Sequence, residues 1–544
     1  MKKRQWLDVG VYVMKRRVSV LLVALGLFSA AGVPTADAQP TAPAIVSTAQ
    51  KLGDWKRAET EHFIFYSDGS EKELRSDAIK LERFDRMMRM VMGAPDDKGQ
   101  VRLSVYFVKS AAKVQSLYPG PVKRIGGFYA PSPAGAVAVV PRIIEGYGDG
   151  IRGAAQTEDV VLFHEYAHHL MKQYYPAAYP AWYVEGFAEY VSNARINQDG
   201  TATYGMTNIG RAPNFALGPV MPIERLISAR VTELKASEVG IFYARSWLLT
   251  HYLSLGKSRS GELTKYLAAL QKGTASLPAA QQAFGDLKLL DKELNGYLNG
   301  KMFQIAMNKP LPPPAEFSIA SLDEGASEAV LLQLKLTRST LPAEREPIAA
   351  ELRGLSARFP GNVAILTALA EAELDLGNHD AAGRAADAAV TIAPTNGRAL
   401  LWKGLSLARP LAKAKDRDAA KWKTARSWIV KANRANPEDP LPLMEYFLSF
   451  AIPGQTPPEV AIQGIGKAVT LIPQFPGTRM MYSSALANQK KFDEAIRILE
   501  PISNDPHGGS LSEFVRKRIA ALERAKSGDL APELELQIDL PEIG

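Results

Sequence analysis

Apolar residues recur at intervals of three and four over residues 71–91, and β-branched and aromatic residues crowd the segments on either side. Intervals of three and four place the apolar side chains on one face of a helix, whereas short segments rich in β-branched and aromatic residues are typical of strands. We therefore predict an amphipathic helix between strands over 62–66 and 101–107. Residues 127–129 and 136–140, separated by a proline-containing turn, predict a hairpin.

The next predicted helix carries the motif His164-Glu165-Tyr166-Ala167-His168, with apolar residues before and after it and no Pro or Gly within it. Residues four apart share a helix face with about 5–6 Å between their Cβ atoms. His164 and His168 can therefore reach the same metal ion, with Glu165 beside it. Only 7 of the 544 residues are histidine, so composition alone rarely produces this spacing.

A second helix, predicted over residues 182–190, places Glu185 17 positions after His168, with Glu189 one turn later. Two prolines in the connecting segment predict a turn that brings Glu185 back beside the histidines. Two histidines, a glutamate and a water form the open four-coordinate site of hydrolytic zinc enzymes. Glu189 is suited to accept the other ring N–H of a ligating histidine. The apolar flanks of both glutamates argue against a solvated helix face.

These motifs resemble those of the gluzincin metallopeptidases, specifically the bacterial peptidase MA-like group, over about residues 55–305. The resemblance implies an α+β domain in which a small β-sheet precedes a helix bundle that binds one Zn²⁺. By this resemblance the metal ligands are His164, His168 and Glu185. Glu165 is the general base, and Glu189 is the carboxylate behind the ligands. Val184 stands where the related aminopeptidases have Asn, and their spacer is two residues longer. Aminopeptidase specificity is therefore not predicted.

Two further roles follow from the same resemblance. A helix predicted over 241–255 contains Phe242-Tyr243-Ala244-Arg245-Ser246-Trp247, which is similar to a segment of that group. Tyr243 is accordingly the candidate for a hydrogen bond to the oxyanion, with His251 in reserve and a core tyrosine as the alternative. The family's sheet has an edge strand over the cleft that pairs with substrate. We assign residues 136–140 to that strand, with an internal strand as the alternative.

From residue 326 to 530 the chain is rich in alanine and leucine, after a Pro-rich segment (306–325) that we predict to be a linker. Prolines recur here at intervals of 34, 43, 36 and 33 residues, at Pro360, Pro394, Pro437, Pro473 and Pro506. The first interval is the length of a tetratricopeptide repeat. The region resembles a degenerate array of about four such units, followed by a tail (531–544). The resemblance implies a curved solenoid with a groove for a protein partner. A structural extension packed on the preceding domain is the alternative.

The N-terminus has the pattern of an export signal. A basic cluster precedes an apolar stretch over 18–33, and Ala36-Asp37-Ala38 forms a cleavage site, which predicts a signal peptide over 1–38 and a linker over 39–54. An uncleaved anchor is the alternative, but the stretch is short for a membrane span. Either Met1 or Met14 can be the start. The signal carries a net charge of +4 of the total of +8. The sequence has no basic cluster interleaved with aromatic residues, so nucleic-acid binding is not predicted.

The sequence therefore predicts an exported, periplasmic or secreted zinc peptidase that acts on peptides or proteins and is not held in the membrane after signal cleavage. A protein partner for the repeats is a further expectation. Two alternatives stay open. One is a non-catalytic protein-binding module that acts through the helical repeats, and the other is a zinc hydrolase that acts on cell-wall peptides.

Overall fold

The computed structural model describes residues 55–95, 101–118, 126–142, 158–177, 179–337, 342–503 and 509–528. The predicted signal peptide (1–38), the linker (39–54) and the C-terminal tail (531–544) lie outside the described residues. Among the described helices, none has both the length and the apolar character that a membrane span requires.

Strands of the described residues form two sheets. They are β1 (Lys56–Glu59), β2 (Phe63–Ser67), β3 (Leu103–Val108), β4 (Phe128–Ser132), β5 (Gly135–Pro141), β6 (Arg195–Ile196), β7 (Ala202–Tyr204), β8 (Ile305–Ala306) and β9 (Ile319–Ser321). The larger sheet has the order β4-β5-β3-β2-β1-β9, and β6, β7 and β8 form the smaller one. The pairs β5–β3 and β3–β2 are parallel, whereas the outer pairs of the larger sheet are antiparallel.

The sheet corrects our assignment of residues 136–140 to the edge. These residues lie in β5, which is an internal strand because it pairs with β3 on one side and β4 on the other. The edge strand on this side of the sheet is β4, which forms the outer arm of the predicted hairpin. The hairpin could be predicted from its turn residues, but which arm meets β3 depends on a pairing between residues about 30 positions apart in the sequence.

The described residues form ten α-helices before the helical-repeat region. They are α1 (Glu71–Met92), α2 (Ala111–Leu117), α3 (Glu158–Tyr174), α4 (Ala181–Ser192), α5 (Ala212–Leu217), α6 (Ile223–Ser228), α7 (Ala236–Leu255), α8 (Glu262–Gln271), α9 (Ser276–Phe284) and α10 (Leu287–Leu298). Helix α1 begins with a capping box, in which the Ser70 side chain accepts from the Glu73 amide and Glu73 accepts from the Ser70 amide. It ends at Gly93, whose left-handed backbone (φ 68°) closes the helix.

Side chains alternate between the two faces of the large sheet, and helices cover both. Leu103, Val105 and Phe107 join the apolar core of α1, α3, α4 and α7. Tyr106 and Val108 face the other way and pack with α2 and with Val330 and Leu334 of the first helix of the C-terminal region. The stacked rings of Phe84 in α1 and Phe163 in α3, with centroids 3.9 Å apart, join the helices over the first face.

The C-terminal region consists of helices that each pack on the next one in sequence. They are α11 (Glu324–Leu336), α12 (Pro342–Arg358), α13 (Val363–Asp375), α14 (His379–Ile392), α15 (Gly397–Lys413), α16 (Ala419–Ala435), α17 (Pro440–Ala451), α18 (Glu459–Leu471), α19 (Pro476–Asn488), α20 (Phe492–Ser503) and α21 (Gly509–Lys526). Pro360, Pro394, Pro437 and Pro473 lie in the loops before α13, α15, α17 and α19. These prolines therefore separate successive helical hairpins, and the region is a helical-repeat array.

The segment predicted as a Pro-rich linker takes part in the fold. Its strand β9 pairs with β1, with Ser321 opposite Lys56 and Ile319 opposite Ala58. Helix α11 then covers the sheet, so the repeat array starts on the sheet itself. The array also returns to the first domain farther along, where the Gln173 side-chain amide of α3 donates to the carbonyl of Leu471 at 3.3 Å. The described part of the array therefore contacts the domain that carries the histidine motif both at the sheet and near the end of α3.

Candidate metal centre

Helices α3 and α4 form an antiparallel pair that joins the two sequence motifs. The connection between them ends at Pro180, which lies at the N-cap of α4. Helix α4 is buried along nearly its whole length between α3 and α7. Gly186 permits this close packing, because a Cβ there would lie 2.4 Å from the backbone carbonyl oxygen of Ser246 in α7. The predicted helix–turn–helix is thus present, and its second helix is fixed from both sides.

The two histidines and Glu185 converge on one point between these helices. The Nε2 atoms of His164 and His168 are 3.1 Å apart, and each lies 3.6 Å from Oε2 of Glu185. The three donor atoms lie within 4.8 Å of one another. Tetrahedral zinc with Zn–N bonds of about 2.0–2.1 Å separates its ligand nitrogens by roughly 3.3 Å. The spacing and chemistry of these donors therefore fit a zinc ion.

Glu185 and Glu189 are buried, with side chains only 1% and 3% exposed, so the solvated helix face considered above is excluded. Oε1 of Glu189 lies 3.5 Å from Nδ1 of His164, on the ring edge opposite the convergence point. Glu189 also accepts hydrogen bonds from Asn208 at 2.7 Å and from Nε of Arg211 at 2.9 Å. This carboxylate therefore connects a candidate ligand to the segment between β7 and α5.

The charges around His164 favour a cation at this point. Burial by itself would lower the pKa of His164, but Glu185, Glu189 and Glu165 surround the ring and together raise that pKa to about 9. Burial would likewise lower the pKa of Arg211, and Glu189 more than offsets it and raises the pKa above its ordinary value. The pocket is thus built to stabilise positive charge, which a divalent metal ion also supplies.

Glu165 and Tyr243 both lie close to His164 of the cluster. Glu165 follows His164 in α3 and is half-buried, close to the backbone just before the edge strand β4. The ring of Tyr243 in α7 stacks at 6.4 Å from that of His164, and the guanidinium of Arg211 lies 5.1 Å from its centroid. Burial raises the pKa of Tyr243 well above its ordinary value, and Glu185 and Glu189 raise it further. The phenol therefore remains protonated and able to donate a hydrogen bond.

Two buried histidines near the cluster, His251 and His169, have other partners. Nε2 of His251 lies 3.0 Å from the carbonyl oxygen of Gly205, and its Nδ1 lies 2.8 Å from the hydroxyl of Tyr297. Both ring nitrogens are therefore engaged, which disfavours His251 as the reserve oxyanion donor. His169 is buried on another face of α3, 3.4 Å from the Tyr129 hydroxyl, and burial lowers its pKa to about 3.

A second group of possible ligands, His62, Glu82 and Asp85, lies behind α3. The Nε atom of Arg89 donates to both oxygens of Asp85 at 2.7 and 2.8 Å, and the Tyr166 hydroxyl donates to the same carboxylate. The guanidinium of Arg89 thus neutralises Asp85, and Glu82 pairs with His62, which makes the group a poor metal site. Because Tyr166 is the middle residue of the histidine motif, the network anchors the back of α3 to α1.

Sequence patterns missed Asn208, Arg211 and Asp85. The first two come from irregular backbone and a short 3₁₀ turn, where no periodicity signals a role. Asp85 lies among buried positions of α1 in a helix that otherwise has a normal amphipathic pattern. The spacing of apolar residues could at most have identified Asp85 as a carboxylate on the buried face.

Comparisons with known proteins add little to this site. No protein-family model matches the sequence, and no curated protein matches it. Among solved structures, the crystal structure of a thermophilic TPR protein from Thermus thermophilus is similar to part of the chain. That likeness has 17% sequence identity and a TM-score of 0.31, over 36% of this chain and 98% of the other.

Proposed function

We propose that the protein is a zinc-dependent peptidase of the gluzincin type, exported to the periplasm or secreted. The observation that carries the proposal is the convergence of His164, His168 and Glu185, from two helices, on a point that also has Glu165 and Tyr243 around it. Two neutral imidazoles and one carboxylate form the protein ligand set of hydrolytic zinc sites. Glu189 beside Nδ1 of His164 supplies the hydrogen-bond acceptor that such a ligand usually has behind it.

The residues divide the work of peptide hydrolysis among them. A zinc ion held by His164, His168 and Glu185 would supply Lewis acidity to water and to the substrate carbonyl. The carboxylate of Glu165 takes the proton of the attacking water and delivers it to the departing amine. The hydroxyl of Tyr243 donates a hydrogen bond to the oxyanion that forms on the carbonyl oxygen. Glu189, itself held by Arg211, keeps the imidazole of His164 in the tautomer that presents Nε2 to the ion.

Elemental analysis of the purified protein tests the metal site, with a casein digest as the assay of activity. We expect about one zinc per chain in the parent, none in His164→Ala, and full occupancy in His379→Ala, which removes a histidine of the repeat array in α14. Absence of zinc from the parent after incubation with the metal would end the proposal. If the His164→Ala variant contains as much zinc as the parent, other residues bind the metal.

A second candidate function is a protein-binding module. The described C-terminal region stacks helical hairpins from α13 to α20, an architecture typical of proteins that bind other proteins along a concave surface. This function does not require metal. The test is a partner's affinity for the parent and for the zinc-free His164→Ala variant. Equal affinity for both, with no proteolysis by either, would favour the binding module over the peptidase.

A further inference from the structure

A cavity of about 70 Å³ lies where the repeat array meets the domain with the candidate metal centre. One wall consists of His168, Lys172 and the connection between α3 and α4. The opposite wall comes from the loop before α19 and the first turn of that helix, with residues of α20 and α21 behind it. Since His168 is one of the candidate ligands, the cavity adjoins the metal centre and ends on the repeat array.

The far wall contains a buried cation, Arg479, which pairs with no carboxylate of the described residues. The Arg479 side chain is 5% exposed, and its Nε and Nη1 atoms donate to the backbone carbonyls of Pro473 at 2.7 Å and Ile498 at 3.1 Å. No ion pair to Arg479 exists among the described residues. Burial lowers its pKa to about 10, with no opposing carboxylate, so the guanidinium stays charged at neutral pH. A buried charge without a counterion is costly, and a bound anion would offset that cost.

The rest of the lining has the same preference. Gln474 beside Arg479 is 9% exposed, and the NH₂ group of its side chain is a hydrogen-bond donor. Lys172 adds a second cationic side chain from the opposite wall, and none of the described residues that line the cavity is acidic. A guanidinium and an amide together match the oxygens of a carboxylate. The volume is sufficient for such a group.

We propose that this cavity is a carboxylate-binding subsite, in which Arg479 and Gln474 of the repeat array hold an anionic group of a peptide that lies at the candidate metal centre. The proposal rests on the proposed peptidase function and names a substrate class for it. The carboxylate is either the free C-terminus of a short peptide or the side chain of an internal glutamate or aspartate. The repeat array then completes the substrate cleft in addition to any partner it binds.

Binding of paired peptides to the Glu165→Gln variant tests the subsite without turnover. The probes are fluorescein-labelled hexapeptides, measured by fluorescence anisotropy. In the first pair, one peptide ends in a carboxylate and the other in a carboxamide. In the second pair, both peptides end in a carboxamide, and one has Glu where the other has Gln at an internal position. We expect the anionic member of one pair to bind about tenfold more tightly than its neutral partner, as a hydrogen-bonded charge pair provides. The pair that discriminates identifies the source of the carboxylate.

Adding Arg479→Gln should remove that tenfold preference and leave the affinity for the neutral peptides unchanged. Arg518→Gln is the matched control, because Arg518 is also a buried arginine of the array, donates to Ser484 at 2.8 Å and does not line the cavity. Gln474→Leu gives a second test if loss of Arg479 disturbs the loop. Equal affinity for both members of both pairs overturns the proposal, as does a preference that survives Arg479→Gln.

These outcomes separate the subsite from the proposed function. A preference for the anionic peptide in a protein that binds no zinc and cleaves no peptide would support the cavity as a binding site and refute the peptidase. Zinc-dependent cleavage without any carboxylate preference would support the peptidase and refute the subsite.

Discussion

Oε1 of Glu189 lies 3.5 Å from Nδ1 of His164, and the same carboxylate is held by Arg211 and Asn208. The orientation of the His164 ring is therefore tied to a segment outside the helix pair. Replacing Glu189 by Gln removes the negative charge but keeps the size of the side chain. We expect zinc affinity, measured by competition with a chelator, to fall about 10- to 100-fold.

Glu82→Gln is the matched control for this variant, because Glu82 is a buried carboxylate, 5% exposed, that pairs with His62 at 2.8 Å outside the candidate centre. That variant should lose stability and keep its zinc affinity. If both variants lose zinc to the same extent, general destabilisation explains the result and the role of Glu189 is refuted.

Glu165→Gln should abolish hydrolysis and leave zinc bound, since an amide cannot accept the proton of the attacking water. General-base catalysis contributes about 10²–10⁴ in rate, and kcat against casein and against a set of cell-wall peptides measures the loss. Glu158→Gln, an exposed glutamate at the start of the same helix, should behave as the parent. Undiminished activity of Glu165→Gln would remove the proposed mechanism.

The parts of the site that could be predicted from sequence are those set by local spacing. Four residues separate His164 from His168, and one turn separates Glu185 from Glu189, so helix geometry alone defines each pair. The prolines between α3 and α4 made the return of Glu185 predictable. Arg211 and Asn208 reach Glu189 from irregular backbone, and no sequence rule predicts that approach.

Long-range pairing accounts for the differences in the fold. The strand order that makes β5 internal, and the pairing of Ile319 with Ala58, join segments that are far apart in sequence. The Pro-rich segment 306–325 has the composition of a linker, yet its last residues extend the sheet. Composition predicts local flexibility, whereas an available sheet edge decides whether a short segment becomes a strand.

Tyr243→Phe should lower kcat by about 10² and leave KM and zinc content nearly unchanged, because it removes one hydrogen bond made only to the oxyanion. The ring, its stacking on His164 and its contact with Arg211 all remain. Tyr252→Phe, on the same helix and bonded to Glu293 at 3.2 Å, is the control and should keep its kcat. If Tyr243→Phe lowers stability but leaves kcat normal, Tyr243 has only the structural role of a core tyrosine.

Gly186→Ala should disrupt the metal centre by forcing α4 away from α7. A Cβ at this position would lie 2.3 Å from Oγ1 of Thr250 and 2.4 Å from the carbonyl oxygen of Ser246. Because the carbonyl belongs to the backbone of α7, the helices must separate, and overpacking of this kind costs about 1–3 kcal/mol. Glu185 precedes Gly186 and would move away from the histidines, so zinc affinity should fall together with the melting temperature.

Gly296→Ala is the matched substitution, since Gly296 lies within α10 and a Cβ there meets no atom within 4 Å. It should raise stability by about 0.5–1 kcal/mol, because alanine loses less backbone entropy in a helix, and leave zinc affinity unchanged. Thermal melting followed by tryptophan fluorescence, with and without zinc, measures both variants. If Gly186→Ala binds zinc like the parent, the position of Glu185 does not depend on the close approach of α4 to α7.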